Sequence, residues 1–255
     1  MIGEIFKSNG FGYYEVISYK NAHNVTVRFL ETGYEKTTNK SNIIRGAVKD
    51  KFAPSCYGVG INGTLPSRIN GVLVAQYQLW SSIIQRCYDN NYQIKQPSYK
   101  GCVVSDNFKN YEYFYDWCNK QVGFGNEGWQ LDKDLLSSGG NSYHEDHCVF
   151  IPQYINILFN NNSKNRGACK IGVTLNRDGK FYAKVSMWGK QVFLGSFKTE
   201  DEAYEVYKSS KESYVKEVAD KYKGKIDHRV YEVLMKYEVS IDDWGNFTHT
   251  IFYMV

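Results

Sequence analysis

The chain has 255 residues, 42% of them hydrophobic and 23% charged, a composition that can bury a core and excludes general disorder. Lys and Arg number 31 against 27 Asp and Glu, so the net charge is only +4. That is too little to announce a polyanionic partner unless the positive charge is concentrated in one segment.

No run of 18 apolar residues occurs, and Met1 to Lys20 alternates polar with aromatic residues where a signal peptide would need an apolar core. A cytoplasmic protein with no membrane partner is expected. The six cysteines, Cys56, Cys87, Cys102, Cys118, Cys148 and Cys169, form no CxxC pair. Their spacing argues against zinc fingers and ribbons and predicts reduced structural thiols.

Residues 1–62 read as short strands. Gly12 to Tyr19 alternates, and Asn24 to Leu30 alternates more strictly, with Val25, Val27 and Phe29 on one face. Glycines at 10, 12, 33 and 46 punctuate the turns, which predicts a small barrel or sandwich. Pro54 to Asn70, with three glycines, two prolines and no period, reads as a linker, and a boundary is placed there.

Residues 63–165 have a different texture. From Gln76 to Tyr88, Tyr77, Trp80, Ile84 and Cys87 recur at helical spacing, with Leu79 and Ile83 beside them. A second helix is predicted from near Asp106, carrying Tyr111, Phe114, Tyr115 and Cys118 on one face. Next comes WQLDKDLLSSGGNSYHEDHCVFIPQYINILF, read as strand (Trp129 to Leu136), glycine-rich loop, strand (Cys148 to Ile151) and a helix opened by Pro152. A hairpin followed by a helix brings Asp132 and Asn156 toward one cation. Two protein oxygens with water and phosphate completing the shell suit Mg²⁺.

After an Asn-rich connector, residues 166–226 give three strands and a helix. The strands are Ile171 to Asn176, Lys180 to Trp188 and Gln191 to Phe197, joined by tight turns at Arg177-Asp178-Gly179 and Gly189-Lys190. Thr199 with Glu202 makes a capping box, and Ala203, Tyr207, Ser210, Tyr214 and Val218 form the buried stripe behind it. Residues 227–255 hold a short amphipathic helix with Val230, Val233, Leu234 and Tyr237, then an aromatic end.

The charge is concentrated in the third segment. From Asn160 to Lys198 stand Lys164, Arg166, Lys170, Arg177, Lys180, Lys184, Lys190 and Lys198 against Asp178 alone, a surplus of +7 that exceeds the +4 of the whole chain. In the middle strand Lys180, Tyr182, Lys184, Ser186 and Trp188 alternate with apolar Phe181, Ala183, Val185 and Met187. The next strand is expected to turn Val192 and Leu194 inward and Gln191 and Phe193 outward. A sheet face of cations and aromatics can touch phosphates and enter the major groove, where side chains read base edges.

GVTLNRDGKFYAKVSMWGKQVFLGSFKTEDEAYEVY resembles an AP2/ERF-type DNA-binding domain over Gly167 to Lys225, in its glycine hairpin, its LGxF close and its helix with an acidic start. The resemblance implies double-stranded DNA as partner, with Arg177, Lys180, Tyr182, Lys184, Trp188 and Lys190 facing it. The stretch from Trp129 to Phe159 resembles the HNH (ββα-metal) nucleases, especially the phage and intron-borne homing type. Asp132-Lys133 occupies the family's Asp-His pair, His147 its middle position, and Asn156, nine residues later, its helix position. The resemblance implies one Mg²⁺ or Mn²⁺ on Asp132 and Asn156. Catalytic candidates are then Lys133, His147 and, as a substitute base, His144.

Lys133 stands where the family has its general-base His. A lysine is protonated at neutral pH, so it serves as a base only when metal charge and desolvation lower its pKa; otherwise it holds the phosphate as a cation. The order of an HNH unit before an AP2-like domain also resembles phage proteins.

The expected fold is therefore α+β: an SH3-like N-terminal barrel, a central ββα unit with flanking helices, and a C-terminal three-stranded antiparallel sheet plus helix. The expected function is a metal-dependent endonuclease that cuts or nicks double-stranded DNA. The alternatives are a DNA-binding regulator that keeps the nuclease scaffold without its catalysis, and a phage protein acting on a host protein. Such a protein partner would dock through the N-terminal barrel or the C-terminal tail.

Overall fold

The computed structural model describes residues 1–137, 140–159 and 169–240. Lys164 and Arg166 of the basic segment, the Asn-rich connector and the aromatic end of the chain lie outside the described residues. By its internal contacts the chain divides into two compact units, Met1–Lys120 and a second beginning at Gln121.

In the first unit, β1 (Ile5–Lys7), β2 (Tyr13–Asn21), β3 (Asn24–Phe29) and β4 (Glu35–Thr38) form a sequential antiparallel sheet. Alternation works here as expected. Val25, Val27 and Phe29 join Tyr14 and Val16 in a core closed by Ile43 of α1 (Lys40–Ile44) and by Val48. The Tyr14 hydroxyl donates to the Ile43 carbonyl at 3.0 Å, fastening that helix across the sheet.

The expected barrel does not close. Four strands in sequential order leave β1 and β4 as edges, and β1, three residues long with Ile5 60% exposed, is too short to curl the sheet round.

The stretch read as a linker is tied into this unit. Ile61 N donates to the Lys109 carbonyl at 2.9 Å, and Tyr111 N donates back to the Ile61 carbonyl at 3.0 Å. β5 (Arg68–Ile69) and β6 (Val72–Leu73) make a small hairpin, followed by α2 (Ala75–Tyr88), α3 (Asn90–Lys95) and β7 (Val103–Val104). The second aromatic helix, α4 (Tyr111–Lys120), starts five residues after Asp106, whose carboxylate instead pairs with Lys109 at 2.8 Å in the preceding turn. Trp80 of α2 packs on Tyr111 of α4 and donates its indole N–H to the Phe108 carbonyl at 2.8 Å.

The second unit opens with β8 (Trp129–Asp132), then β9 (Ser142–Tyr143), β10 (Val149–Pro152) and α5 (Gln153–Leu158). β8 and β10 pair antiparallel, Asp132 opposite Val149 and Gln130 opposite Ile151. Strand β8 stops at Asp132 and does not run to Leu136, because the Asp132 side chain accepts from the N–H groups of Asp134 and Leu135 and turns the chain. Pro152 is the last residue of β10, extended at φ −53° and ψ 137°, so α5 begins one residue later than the sequence suggests.

β11 (Val173–Leu175), β12 (Phe181–Met187) and β13 (Lys190–Phe197) form the expected three-stranded antiparallel sheet. The capping box on α6 (Glu200–Tyr222) is made in full, with the Thr199 hydroxyl accepting from Glu202 N and the Glu202 carboxylate from Thr199 N. Ala203, Tyr204 and Tyr207 of α6 pack on the inner face of the sheet, while Tyr214, Val215, Val218 and Ala219 pack with β10, α5 and α7 (His228–Met235). One helix thus backs both the sheet and the hairpin. The architecture is mixed helix and antiparallel sheet, consistent with α+β. All six cysteines are free. No described helix is long and apolar enough to cross a membrane.

Asp227 caps α7, accepting from Arg229 N at 2.8 Å, and the Arg229 guanidinium beside it holds its carboxyl below the usual carboxylate range. Asp227→Ala is expected to cost about 1 kcal/mol at neutral pH. A depressed carboxyl stabilises the fold above its unfolded pKa and loses that contribution as pH falls through the folded value. The cost should therefore shrink below about pH 4. Urea unfolding at neutral and acid pH checks this; an equal cost at both excludes the ionic contribution.

Candidate functional site

Side chains two apart on a strand share a face, so Gln130 and Asp132 of β8 point together, with Val149 and Ile151 of β10 beside them. α5 covers that face, and Asn156 Nδ2 donates to Gln130 Oε1 at 3.1 Å. Gln130 links the two positions: it shares the Asp132 face of β8 and takes the Asn156 amide. Asp132 and Asn156 are buried, at 3% and 2% exposure. Asn156 Oδ1 is enclosed without a hydrogen-bond partner. Burial pushes the Asp132 carboxyl above its ordinary range, against the lowering pull of the Leu135 and Asp134 N–H groups.

Lys133 is engaged within its own loop. Its ammonium is ion-paired with Asp134 and donates to the Gly140 carbonyl at 3.3 Å, while Ser137 Oγ donates to the Lys133 carbonyl at 2.7 Å. Lys133 is 4% exposed and Asp134 1%. These bonds bind the loop after β8 to itself.

His144 and His147 lie in the turn before β10, their ring centres 5.4 Å apart. His144 Nδ1 accepts from Asp146 N at 3.2 Å. His147 Nδ1 is buried without a partner. Among the described residues neither imidazole is hydrogen-bonded to Asp132, Lys133 or Asn156. No three His, Cys, Asp or Glu side chains among the described residues are placed to hold a metal together.

The basic sheet is open. On its outward face Tyr182 pairs with Thr174 and Ser196, Lys184 with Phe193, and Ser186 with Gln191. The Tyr182 and Phe193 rings meet edge to face at 5.3 Å. Lys184 and Phe193 are exposed, as are Arg177, Lys180 and Lys190 at the two turns. A bulge between Ala183 and Lys184 puts Leu194 out of register, and Gly195 at φ 149° absorbs the irregularity. Leu194 still packs inward, but Val192, expected in the core opposite Val185, is 38% exposed. Asp178 accepts from the Tyr182 hydroxyl at 3.1 Å and from Lys180 N, while Lys170 is paired with Asp201.

Trp188 leaves the face its alternation assigns it. It sits in a two-residue turn with Gly189, both at positive φ (50° and 74°), the geometry that matches hairpin twist. From there its ring stacks on Tyr154 of α5 at 5.1 Å and 6°, and meets Tyr214 of α6 edge-on at 5.5 Å. Its backbone N–H reaches both tyrosine hydroxyls, at 3.0 and 2.6 Å, and Lys221 Nζ lies 3.9 Å from its ring centre. Tyr214 and Lys221 are seven apart on α6, a spacing that marks one helix face, but nothing local in the sequence pairs that face with Trp188.

No family model matches the chain, and no curated protein or solved structure matches it either.

Proposed function

We propose that the chain binds double-stranded DNA through the outward face of β11–β13. The observation that carries this reading is an exposed face with cations at both ends and an aromatic pair between them. Lys180 to Lys190, on either side of the seven-residue β12, span about 23 Å at roughly 3.3 Å per residue. That exceeds the major groove's width of about 12 Å, so Arg177, Lys180 and Lys190 reach phosphates while Tyr182, Lys184 and Phe193 meet base edges. The AP2/ERF resemblance gives the same face the same partner. In this reading the HNH-like hairpin and helix are the scaffold on which the sheet rests.

A second reading, a metal-dependent endonuclease of the HNH type, is favoured by one observation: the enclosed Asn156 Oδ1 without a partner. Asp132 and Asn156 would be the protein ligands of one Mg²⁺ or Mn²⁺, hard oxygen donors of the kind these ions take. The ion would supply stabilisation of charge on the phosphate and leaving oxygen. Lys133, committed to Asp134, braces the loop in either reading.

Two measurements on the full chain separate these readings. Duplex binding is expected to weaken steeply with salt, and Arg177→Gln with Lys180→Gln should lower the salt slope by about 2, roughly 0.9 for each phosphate no longer neutralised. Wild type that binds no duplex overturns the first reading. In a supercoiled-plasmid assay with Mg²⁺ or Mn²⁺, nicking that disappears in Asp132→Ala and Asn156→Ala establishes the second. Cleavage gained only in Lys133→His would mark a nuclease that lost its base.

A further inference from the structure

Lys221 sits against Trp188 at the same turn that presents Lys190, so the cations of the sheet and those at the end of α6 meet there. Beyond Lys221 the chain reads Tyr222-Lys223-Gly224-Lys225, three lysines in five residues with no acid among them. All three are exposed. Their acidic neighbours are largely engaged. The Asp220 carboxylate accepts from the Tyr231 hydroxyl at 3.0 Å, and Asp227 is held by Arg229 at 2.8 Å. Glu217, one turn before Lys221 on the same helix face, is the acid this cluster must offset.

The helix dipole explains only part of the cluster. A cation in the last turn is favoured by the partial negative charge there, and Lys221 occupies that place. Lys223 is the residue that ends the helix and Lys225 lies beyond it, past Gly224 at φ 73°, where the dipole asks for nothing more. Lys223 Nζ lies 5.3 Å from the Tyr231 ring centre, and among the described residues no acidic side chain is ion-paired with Lys225.

We infer that the duplex-binding surface continues from the sheet round the β12–β13 turn onto the end of α6, where Lys221, Lys223 and Lys225 contact backbone phosphates. The inference rests on the duplex-binding reading above. In it Trp188 is the hinge-post between the two halves of the surface. The end of α6 supplies affinity without sequence preference, because phosphate contacts carry no base information.

The test is fluorescence anisotropy with a labelled duplex of arbitrary sequence, titrated at several salt concentrations. Three proteins are compared: wild type, Lys223→Gln/Lys225→Gln, and Arg177→Gln/Lys180→Gln. Lys221 is left in place because it packs on Trp188. The α6 variant should unfold at the wild-type temperature and lose about 2 from the salt slope, so that between about 50 and 200 mM salt its affinity drops about tenfold less than wild type's. A sheet variant that loses slope beside an α6 variant that keeps it overturns this inference and leaves the duplex-binding reading standing. A loss of affinity in the α6 variant with no change of slope also overturns it, since the contact is then not to phosphate. Wild type that binds no duplex removes both.

Discussion

Lys133→Met is expected to destabilise the protein by about 3–5 kcal/mol, the range for removing one partner of a buried ion pair. Lys133 and Asp134 are 4% and 1% exposed, so removing the ammonium leaves a carboxylate in a place where ionisation is unfavourable. The substitution also frees the Gly140 carbonyl, which accepts from the same ammonium. Lys133→Met/Asp134→Leu should lose less than the sum of the two single variants, because the pair's attraction offsets the desolvation of both charges. Urea unfolding of the four proteins closes the cycle. A single-variant loss below about 1 kcal/mol would show that the pair does not hold the loop. The same geometry bears on Lys133→His, whose shorter side chain does not reach both partners. Loss of stability is expected there whether or not a base is restored.

Trp188→Ala is expected to lose about 2–3 kcal/mol, below the usual range for a buried tryptophan because the residue is 39% exposed. The loss comes from the Tyr154 stack, the Tyr214 edge contact and the Lys221 ammonium over the ring. Trp188→Gly should be less damaging than alanine by about 1 kcal/mol, because a φ of 50° penalises any side chain but not glycine. If the ring couples sheet to helices and does not touch DNA, the alanine variant keeps the wild-type duplex affinity at temperatures where it is folded. A reduced affinity at an unchanged salt slope, with stability unchanged, would instead return Trp188 to the contact surface.

These two residues mark where local pattern stops being informative. Alternation along β12 assigns each side chain to one of two faces, and it assigns Tyr182, Lys184 and Ser186 correctly. It fails at Trp188 because a turn residue is no longer in the pleat, and its direction is set by tyrosines 34 and 26 positions away. Likewise the Asp132-Lys133 pair resembles a catalytic pair by position. In the fold Lys133 is claimed by Asp134, and one Asp132 oxygen holds two backbone N–H groups. The motif spacing singles out Asp132 and Asn156. It did not show that Gln130, two residues earlier on the same strand, takes the Asn156 amide.

What the amino-acid order determined alone is what short-range physics decides. The apolar period in β3, the Thr199 and Glu202 capping box, the glycine-assisted turns and the +7 surplus all depend on neighbours within a few positions. The tertiary structure decided the rest. An N-terminal sheet closes into a barrel only if its edge strands can reach each other, and no local pattern carries that condition. Whether a lysine is a base, a phosphate contact or half of a buried pair depends on which groups the chain folds against it, and those forces act only once distant residues are a few ångströms apart.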